Sequence, residues 1–339
     1  MNSRVSNIAR KLLSINKPME TFSSNLISLY TERKNPWDVD SLVQKRYSLG
    51  SDYLDKTFYL IRRPNHWGIM SMIIVFLNHI DYAINRGWIP VIDLKTVKNL
   101  YNGFNIQSNI NGWELFFRQP TEFGLEDIKN ASNIVSNPFK LVNKNALTID
   151  SGLLLNRNKL NHWQMLVKQH IRFSDELNEY IEKSKKMIFA NIDPEEVLGI
   201  YSRGTDYITL RPKNHPIQPS PELIIEHIEP YLEEGLFKRI YLVTEDQEIF
   251  NKFNNVYGDI LITMDAKRYS RSDQLIAMDS EMNERDPKIN GFEYLTSMLL
   301  LNECGGFVGG ITGGTMGMML FNNPDKKREI EYFFDLGCY

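Results

Sequence analysis

The sequence predicts an α/β protein built from two Rossmann-like, doubly wound domains. Short apolar runs that are typical of buried parallel strands alternate with longer runs of helical periodicity, over residues 57–93 and again over residues 197–321. The length of 339 residues suffices for two domains, each with its own core. The chain contains no low-complexity tract and no internal repeat, which argues against solenoids and propellers.

The first half of the chain follows the order strand, turn, helix, strand, which builds a parallel sheet. The predicted elements are a strand over residues 57–61, a polar turn over 62–68, a helix over 69–86 that Gly87 ends, a strand over 88–93 and one helix over 157–190. Residues 94–150 show weaker periodicity. We place the domain boundary at 188/189, which gives domains of residues 1–188 and 189–339.

The second half alternates more regularly. Strands are predicted over residues 197–201, 239–243, 260–263 and 306–309, and helices over residues 221–234, 247–254, 291–303 and 315–321. Pro221 at a first helical position and Gly235 after the last one mark the ends of one of these helices. Short connections between the elements favour a doubly wound sheet.

Composition and charge exclude several classes of protein. Lys+Arg 39 against Asp+Glu 42 gives a net charge of −3, which argues against a nucleic-acid binder. Two cysteines cannot form a disulfide framework, so we expect a cytoplasmic protein. Arg4, Arg10 and Lys11 lie among apolar residues near the N-terminus, and this pattern predicts an amphipathic surface helix. That helix either docks on its own domain or contacts the inner membrane face peripherally.

The first candidate site follows the strand at 197–201. Arg203 and Asp206 come at its carboxyl end, beside Gly204, which allows a sharp turn. A guanidinium at this place can bind phosphate oxygens through two hydrogen bonds, or Arg203 and Asp206 can form an ion pair that fixes the loop.

A long polar loop with three prolines follows, over residues 211–219, and its length favours a role in ligand binding. It carries Arg211, Lys213 and His215, which we assign to acceptor or phosphate contact. His215 is also a candidate catalytic base, or an exposed histidine without a special role.

Two further strand ends carry polar residues. Thr244, Glu245 and Asp246 follow the strand at 239–243 and predict either a helix cap or a contact with a nucleoside. Seven of the 20 glycines fall within residues 305–317, around Thr312 and Thr315. Exposed N–H groups at the start of the helix there predict a diphosphate cradle, although a tightly packed turn also requires small residues.

Other motifs are weaker. Asn65, His66 and Gly68 in the first polar turn are candidates for contact with an acceptor, or form a simple turn. The six histidines show no H-x₃-H or HExxH spacing, so we expect no metal site.

The segment Tyr201–Asp206 resembles the His-x-Arg-Arg/Gly-Thr/Ser-Asp motif of the fucosyltransferase superfamily, which includes α-1,6-, α-1,2- and protein O-fucosyltransferases. The order of the other elements over residues 57–322 is similar too, and bacterial surface-polysaccharide transferases are the nearest likeness. The resemblance implies a GT-B fold, in which two Rossmann-like domains face a cleft. It also implies inverting sugar transfer without a metal, with the nucleotide-sugar on the C-terminal domain and the acceptor on the N-terminal domain.

The resemblance also implies residue roles. Arg203 would stabilise the leaving diphosphate, and Asp206, then His215, would be the candidate base. The implied donor-binding residues are Tyr201, Gly204, Thr205, Thr244, Glu245, Asp246, Glu293, Ser297, Thr312, Gly313, Gly314 and Thr315. Tyr201 replaces the histidine of the motif, and Ser297 replaces an acidic residue. Both positions contact guanine in the family, and either Glu293 or Thr296 could compensate for the change.

We therefore expect a glycosyltransferase that uses a nucleotide-sugar, with a GDP-sugar favoured, and no other cofactor. Its acceptor would be a glycan or a lipid-linked glycan, and the transferred sugar fucose or another hexose. Two alternatives stay open from the residues alone. One is a nucleotide-sugar epimerase or hydrolase of the same fold, which would need a further carboxylate or histidine pair, and the other is a nucleotide-binding protein without catalysis.

Overall fold

The computed structural model describes residues 44–63, 68–138, 146–148, 151–270 and 285–339. The chain divides into two compact units, one drawn from Met1–Asn65, His79–Asn111 and Gln119–Ala146, the other from His66–Asn78, Gly112–Arg118 and Leu147–Tyr339. Residues 151–188 group with the second unit, whereas the sequence places the boundary after residue 188, and that boundary stays a prediction. None of the helices in the described ranges has the length and apolar character needed to cross a membrane. The amphipathic N-terminal segment, Asn65 and His66 lie outside the described residues.

The first unit contains a mainly parallel sheet. Its strands are β1 (Arg46–Tyr47), β2 (Phe58–Ile61), β3 (Ile89–Ile92) and β4 (Ile134–Ser136), in the order β1-β4-β2-β3. β2 is parallel to both its neighbours, and β1 alone is antiparallel. The helix α1 (Ile69–Ile84) follows β2 in the chain, and a short helix, α2 (Leu125–Ile128), precedes β4. The predicted strands and helix over 57–93 are confirmed, whereas β1 and β4 are too short to give a sequence signal.

The second unit contains a five-stranded parallel sheet. Its strands are β5 (Val197–Tyr201), β6 (Arg239–Val243), β7 (Leu261–Ile262), β8 (Gly306–Gly310) and β9 (Ile330–Phe334), in the order β7-β6-β5-β8-β9. The chain builds outward from β5 to β7 and then crosses back to add β8 and β9. This is a doubly wound order, and its direction reverses between β5 and β8. The predicted α/β class is confirmed, and β9 is an additional strand.

The described helices of the second unit include two short ones that were not predicted, and one predicted helix is divided in two. They are α3 (Ser151–Leu155), α4 (Arg157–His170), α5 (Asp175–Ile188), α6 (Asp206–Leu210), α7 (Pro221–Glu233), α8 (Gln247–Tyr257), α9 (Pro287–Leu300) and α10 (Gly313–Leu320). The single helix predicted over 157–190 is wrong. Residues 171–174 break it, because Arg172 O accepts a hydrogen bond from Arg118 N at 2.7 Å and Ser174 caps α5 through Leu177 N.

Close packing behind the sheet depends on small residues in the strands. A Cβ atom at Gly199, in the middle of β5, would lie 3.1 Å from Leu301 and 3.2 Å from Cys304. The chain that follows α9 therefore packs directly on the strand, and this packing fixes the end of β5 relative to β8. Cys304 is buried and Cys338 is exposed, and both are free thiols.

Candidate functional site

The candidate site lies at the carboxyl ends of β5, β6 and β8. In a doubly wound sheet, ligands bind where the strand order reverses, outside the carboxyl ends of the strands. β5 and β8 are the neighbours at that point, with Tyr201 in register with Gly309. The loop after β5 carries Arg203, and the loop after β8 leads into α10.

Arg203 is held between two carboxylates. Its Nη2 lies 2.6 Å from Asp206 Oδ1, and its Nη1 lies 2.7 Å from Glu245 Oε1. All three side chains are largely buried, with exposed fractions of 14, 6 and 16%. Burial by itself lowers the pKa of Arg203. The carboxylates of Glu245 and Asp206 and the phenols of Tyr201 and Tyr294 outweigh this effect, so the pKa lies above its usual range. The guanidinium is therefore a permanent buried charge, and the predicted Arg203–Asp206 ion pair is present.

Glu245 also fixes the backbone of this loop. Its Oε1 accepts hydrogen bonds from Gly204 N at 2.9 Å and from Thr205 Oγ1 at 3.2 Å. The carboxyl end of β6 thus sets both the charge and the conformation of the turn that carries Arg203. The sequence separates Glu245 from Arg203 by 42 residues, and only the parallel pairing of β5 with β6 joins them.

Asp246 has a capping role and a packing role. Its side chain is fully buried and accepts hydrogen bonds from Glu248 N at 2.8 Å and Ile249 N at 3.1 Å, which caps α8. Its other oxygen accepts from Thr205 N at 2.8 Å. A Cβ atom at Gly204 would lie 2.4 Å from that carboxylate, so no side chain fits there.

The turn after β8 is a capped helix start. Thr312 Oγ1 accepts a hydrogen bond from Thr315 N at 3.1 Å, and Thr315 Oγ1 donates to Gly310 O at 2.5 Å. Both hydroxyls therefore hold the turn itself. The remaining N–H groups of the first turn of α10 have no partner within the helix, and they carry the positive end of the helix dipole. This is the geometry that favours an anion.

Two buried tyrosines join the halves of the site. The hydroxyls of Tyr201, at the end of β5, and Tyr294, on α9, both lie against Gly314 in the first turn of α10. Each lies 2.9 Å from the place where a Cβ atom at Gly314 would be. Burial raises the pKa of Tyr294 to about 12, although the positive charge of Arg203 opposes the rise. Arg203, the two phenols and the start of α10 therefore form one electrostatic neighbourhood.

Glu293 and Ser297 are engaged elsewhere. Glu293 forms a two-point ion pair with Arg285, with N···O distances of 2.9 and 2.8 Å, and this pair raises the pKa of Arg285. Ser297 Oγ donates to Glu293 O at 2.6 Å, one helical turn back. Neither predicted donor-binding side chain pairs with Arg203, and the Ser297 hydroxyl is used within its own helix.

The loop 211–219 is adjacent to the site through an edge-to-face contact between two aromatic rings. The His215 ring meets the Tyr207 ring edge-on at 5.8 Å, and the Arg203 guanidinium lies 5.1 Å from that same ring. Arg211 and Lys213 are exposed, and neither forms an ion pair with a described residue. The segment Gly337–Tyr339 pairs with this loop through backbone hydrogen bonds to residues 214–217.

The structure thus groups the predicted residues of the β5 and β6 ends, and it links them to α10 through Tyr201. Thr244 Oγ1 supports this group by accepting from Asp246 N at 3.2 Å. Gly68 is exposed just before α1. Tyr207, Tyr294 and Gln218 belong to the site region and were not predicted as site residues, since nothing in a single sequence places their side chains. No group of three His, Cys, Asp or Glu side chains in the described ranges could hold a metal ion.

Solved structures with a similar chain path include fucosyltransferases, the family that the Tyr201–Asp206 motif resembles. Fucosyltransferase NodZ from Bradyrhizobium is 14% identical with a TM-score of 0.45, and the match covers 79% of this chain and 94% of NodZ. POFUT1 in complex with GDP is 12% identical with a TM-score of 0.44, and the match covers 83 and 99%. No family model matches the chain. No curated protein matches it either. At this level of similarity the contacts of the chain itself carry the functional conclusion.

Proposed function

We propose that this chain is a glycosyltransferase that transfers a sugar from a GDP-sugar to a hydroxyl of a glycan or lipid-linked acceptor, in surface-polysaccharide synthesis. The observation that carries the proposal is the position of Arg203. A buried, permanently charged guanidinium stands at the switch point of a doubly wound sheet, and α10 begins after the neighbouring strand β8. Both features are suited to a diphosphate, and the resemblance of the Tyr201–Asp206 motif supports the sugar-nucleotide class. The family resemblance favours GDP as the nucleotide, with Tyr201 in place of the histidine that contacts guanine.

Sugar transfer requires stabilisation of the leaving group. When the anomeric C–O bond breaks, negative charge develops on the departing diphosphate, and fixed positive groups lower the barrier most effectively. Arg203 supplies such a group without a proton transfer, and the first N–H groups of α10 supply fixed dipoles. These groups would stabilise the charge without a metal ion, which supports metal-independent transfer, and the family resemblance implies that the transfer is inverting.

The candidate base is Asp206. The Oδ1 atom of Asp206 accepts three hydrogen bonds, from Arg203 Nη2, Thr205 Oγ1 and Tyr207 N. The Oδ2 atom accepts none from a described residue. One carboxylate oxygen can therefore orient Arg203 while the other takes a proton from the acceptor hydroxyl. His215 is less suitable, because its ring is exposed and Tyr207 separates it from Arg203.

The experiment is an assay of nucleoside-diphosphate release from GDP-fucose and other nucleotide-sugars, with a chelator present, and with and without glycan or lipid-linked acceptors. Release that requires an acceptor supports transfer, whereas equal release without one indicates a hydrolase. Arg203→Lys keeps a positive charge but loses the planar two-point grip, so we expect it to abolish release.

Arg328→Lys is the matched control. Arg328 is also buried and paired with a carboxylate, Glu331, at 2.6 Å, but it lies before β9 rather than at a strand carboxyl end. Its lysine variant should retain release when corrected for folded protein. If no nucleotide-sugar is consumed under any condition, the proposed function is wrong.

A further inference from the structure

Gln218 is a buried amide that joins two loops of the second unit. Its side chain is 9% exposed, and its Nε2 donates to Pro216 O at 3.1 Å and to Ile311 O at 3.0 Å. The first bond holds the loop 211–219, and the second reaches the residue between β8 and α10. Since Nε2 uses both its protons on carbonyl oxygens, the orientation of the amide follows from its hydrogen bonds.

The bond to Ile311 fixes more than a carbonyl group. A trans peptide is planar, so the C=O of Ile311 and the N–H of Thr312 belong to one rigid unit and point in opposite directions. Holding the carbonyl oxygen on Gln218 therefore turns the Thr312 N–H away from the loop 211–219. That N–H donates to no described residue. It immediately precedes the N–H groups of the first turn of α10.

We infer that Gln218 is a positioning residue for the diphosphate, because it aims the Thr312 N–H at the anion. This inference rests on the proposed function and deepens it. Gln218 touches neither substrate nor reacting atoms, and it acts through the Ile311–Thr312 peptide. The expected ligand contact is therefore a backbone N–H to a phosphate oxygen, added to the contact that Arg203 makes.

The surroundings are shaped to admit this amide. A Cβ atom at Gly310 would lie 2.3 Å from Gln218 Oε1 and 2.9 Å from Pro219 Cδ, so a glycine is required at the end of β8. Gln218 Oε1 is buried and accepts no hydrogen bond from a described residue. A buried polar atom without a partner costs free energy, whereas the two hydrogen bonds that Nε2 donates stabilise the loops they join. The amide therefore holds the Ile311 carbonyl in place at the cost of an unpartnered oxygen.

The chain offers a closely matched control in Gln164. That side chain is 5% exposed, its Nε2 donates to Met319 O at 2.8 Å, and its Oε1 also lacks a partner among the described residues. The two glutamines therefore share burial, a hydrogen bond from Nε2 to a backbone carbonyl and an unpartnered oxygen, although Gln218 donates two such bonds and Gln164 one. They differ in place, because Gln218 holds the residue before the start of α10 whereas Gln164 holds its last turn.

The test compares Gln218→Met with Gln164→Met in calorimetric titrations with inorganic pyrophosphate, GDP and guanosine. We expect Gln218→Met to weaken pyrophosphate and GDP about tenfold, the effect of one misdirected hydrogen bond to a charged group, and to leave guanosine unchanged. Gln164→Met should leave all three affinities unchanged. A general loss of local structure would weaken guanosine as well, so a parallel loss for guanosine overturns the inference. Equal losses in the two variants, or an unchanged diphosphate affinity in Gln218→Met, overturn it too.

The titration and the release assay together separate the positioning role of Gln218 from the proposed sugar transfer. Wild-type protein that binds pyrophosphate and depends on Gln218, yet consumes no nucleotide-sugar, supports the positioning role and overturns sugar transfer. Wild-type protein that binds neither pyrophosphate nor GDP overturns both.

Discussion

Removing Arg203 should destabilise the fold as well as the site. The Arg203→Ala variant leaves Asp206 and Glu245 with no cation between them, although both are largely buried and their ion-pair distances were 2.6 and 2.7 Å. Breaking a buried pair by removing one partner costs about 3–5 kcal/mol, because an uncompensated charge stays behind. Here two carboxylates stay behind and repel each other, so we expect a loss in the upper part of that range.

A second substitution should return part of this loss. Arg203→Ala/Glu245→Gln removes one of the two unpaired charges while the amide oxygen still accepts from Gly204 N and Thr205 Oγ1. For residues in direct contact the coupling free energy is about 0.5–3 kcal/mol, so the double variant should be more stable than Arg203→Ala by about 1–2 kcal/mol.

The assay is denaturant unfolding at constant pH, with the free energy of unfolding taken from the transition. Arg157→Ala is the control, since Arg157 pairs with Glu331 but is 60% exposed, and its loss should stay below about 1 kcal/mol. An Arg203→Ala loss as small as that of Arg157→Ala would refute the buried clamp, and so would a double variant no more stable than the single one.

Three further predictions concern other parts of the chain. Gly204→Ala should lower the free energy of unfolding by about 1–3 kcal/mol, because the added Cβ overlaps the Asp246 carboxylate. Gly124→Ala is the control, since its Cβ would lie at van der Waals distance, 3.7 Å, from Gln119. Similar losses for the two variants in denaturant unfolding would contradict the prediction. Burial lowers the pKa of His79 to about 3, so the neutral imidazole stabilises the fold fully above about pH 6.5, and this stability is lost as the pH falls. Between pH 7 and pH 5 the free energy of unfolding should therefore fall by about 2 kcal/mol more in the wild type than in His79→Asn. Equal losses in the two proteins would contradict this prediction. Burial raises the pKa of Tyr294 to about 12, so stability should fall between about pH 10 and pH 12, and Tyr294→Phe should reduce that fall in alkaline unfolding curves.

Much of the second unit can be predicted because its strands are continuous apolar runs. β5 and β6 have the predicted bounds, and the glycine-rich stretch after β8 leads into a helix as expected. Buried parallel strands require apolar residues on both faces, which makes them visible in a single sequence. β9 is an edge strand in which glutamate and tyrosine interrupt the apolar run, so its pattern is weaker.

The contacts of the site are less predictable. Their place at a strand end makes Arg203, Gly204 and Asp206 recognisable as candidate site residues. The Arg203–Asp206 ion pair is predictable as well, because the two residues are three positions apart. The second carboxylate on Arg203 comes from Glu245, and the carbonyl group that Gln218 holds belongs to Ile311. These partners are 42 and 93 residues away, and only the strand order brings them together. Glu293 shows the converse, since Arg285 occupies a carboxylate that the sequence assigned to a ligand.

GDP binding tests most directly whether a diphosphate binds at the switch point of the second sheet, between β5 and β8. Isothermal titration of the wild-type protein should show GDP binding at least tenfold more tightly than guanosine, since the guanidinium and the helix start recognise the phosphates. Arg203→Lys should remove most of that difference, because it loses the two-point grip. Equal affinity for GDP and guanosine, or an unchanged preference for GDP in Arg203→Lys, would contradict the site.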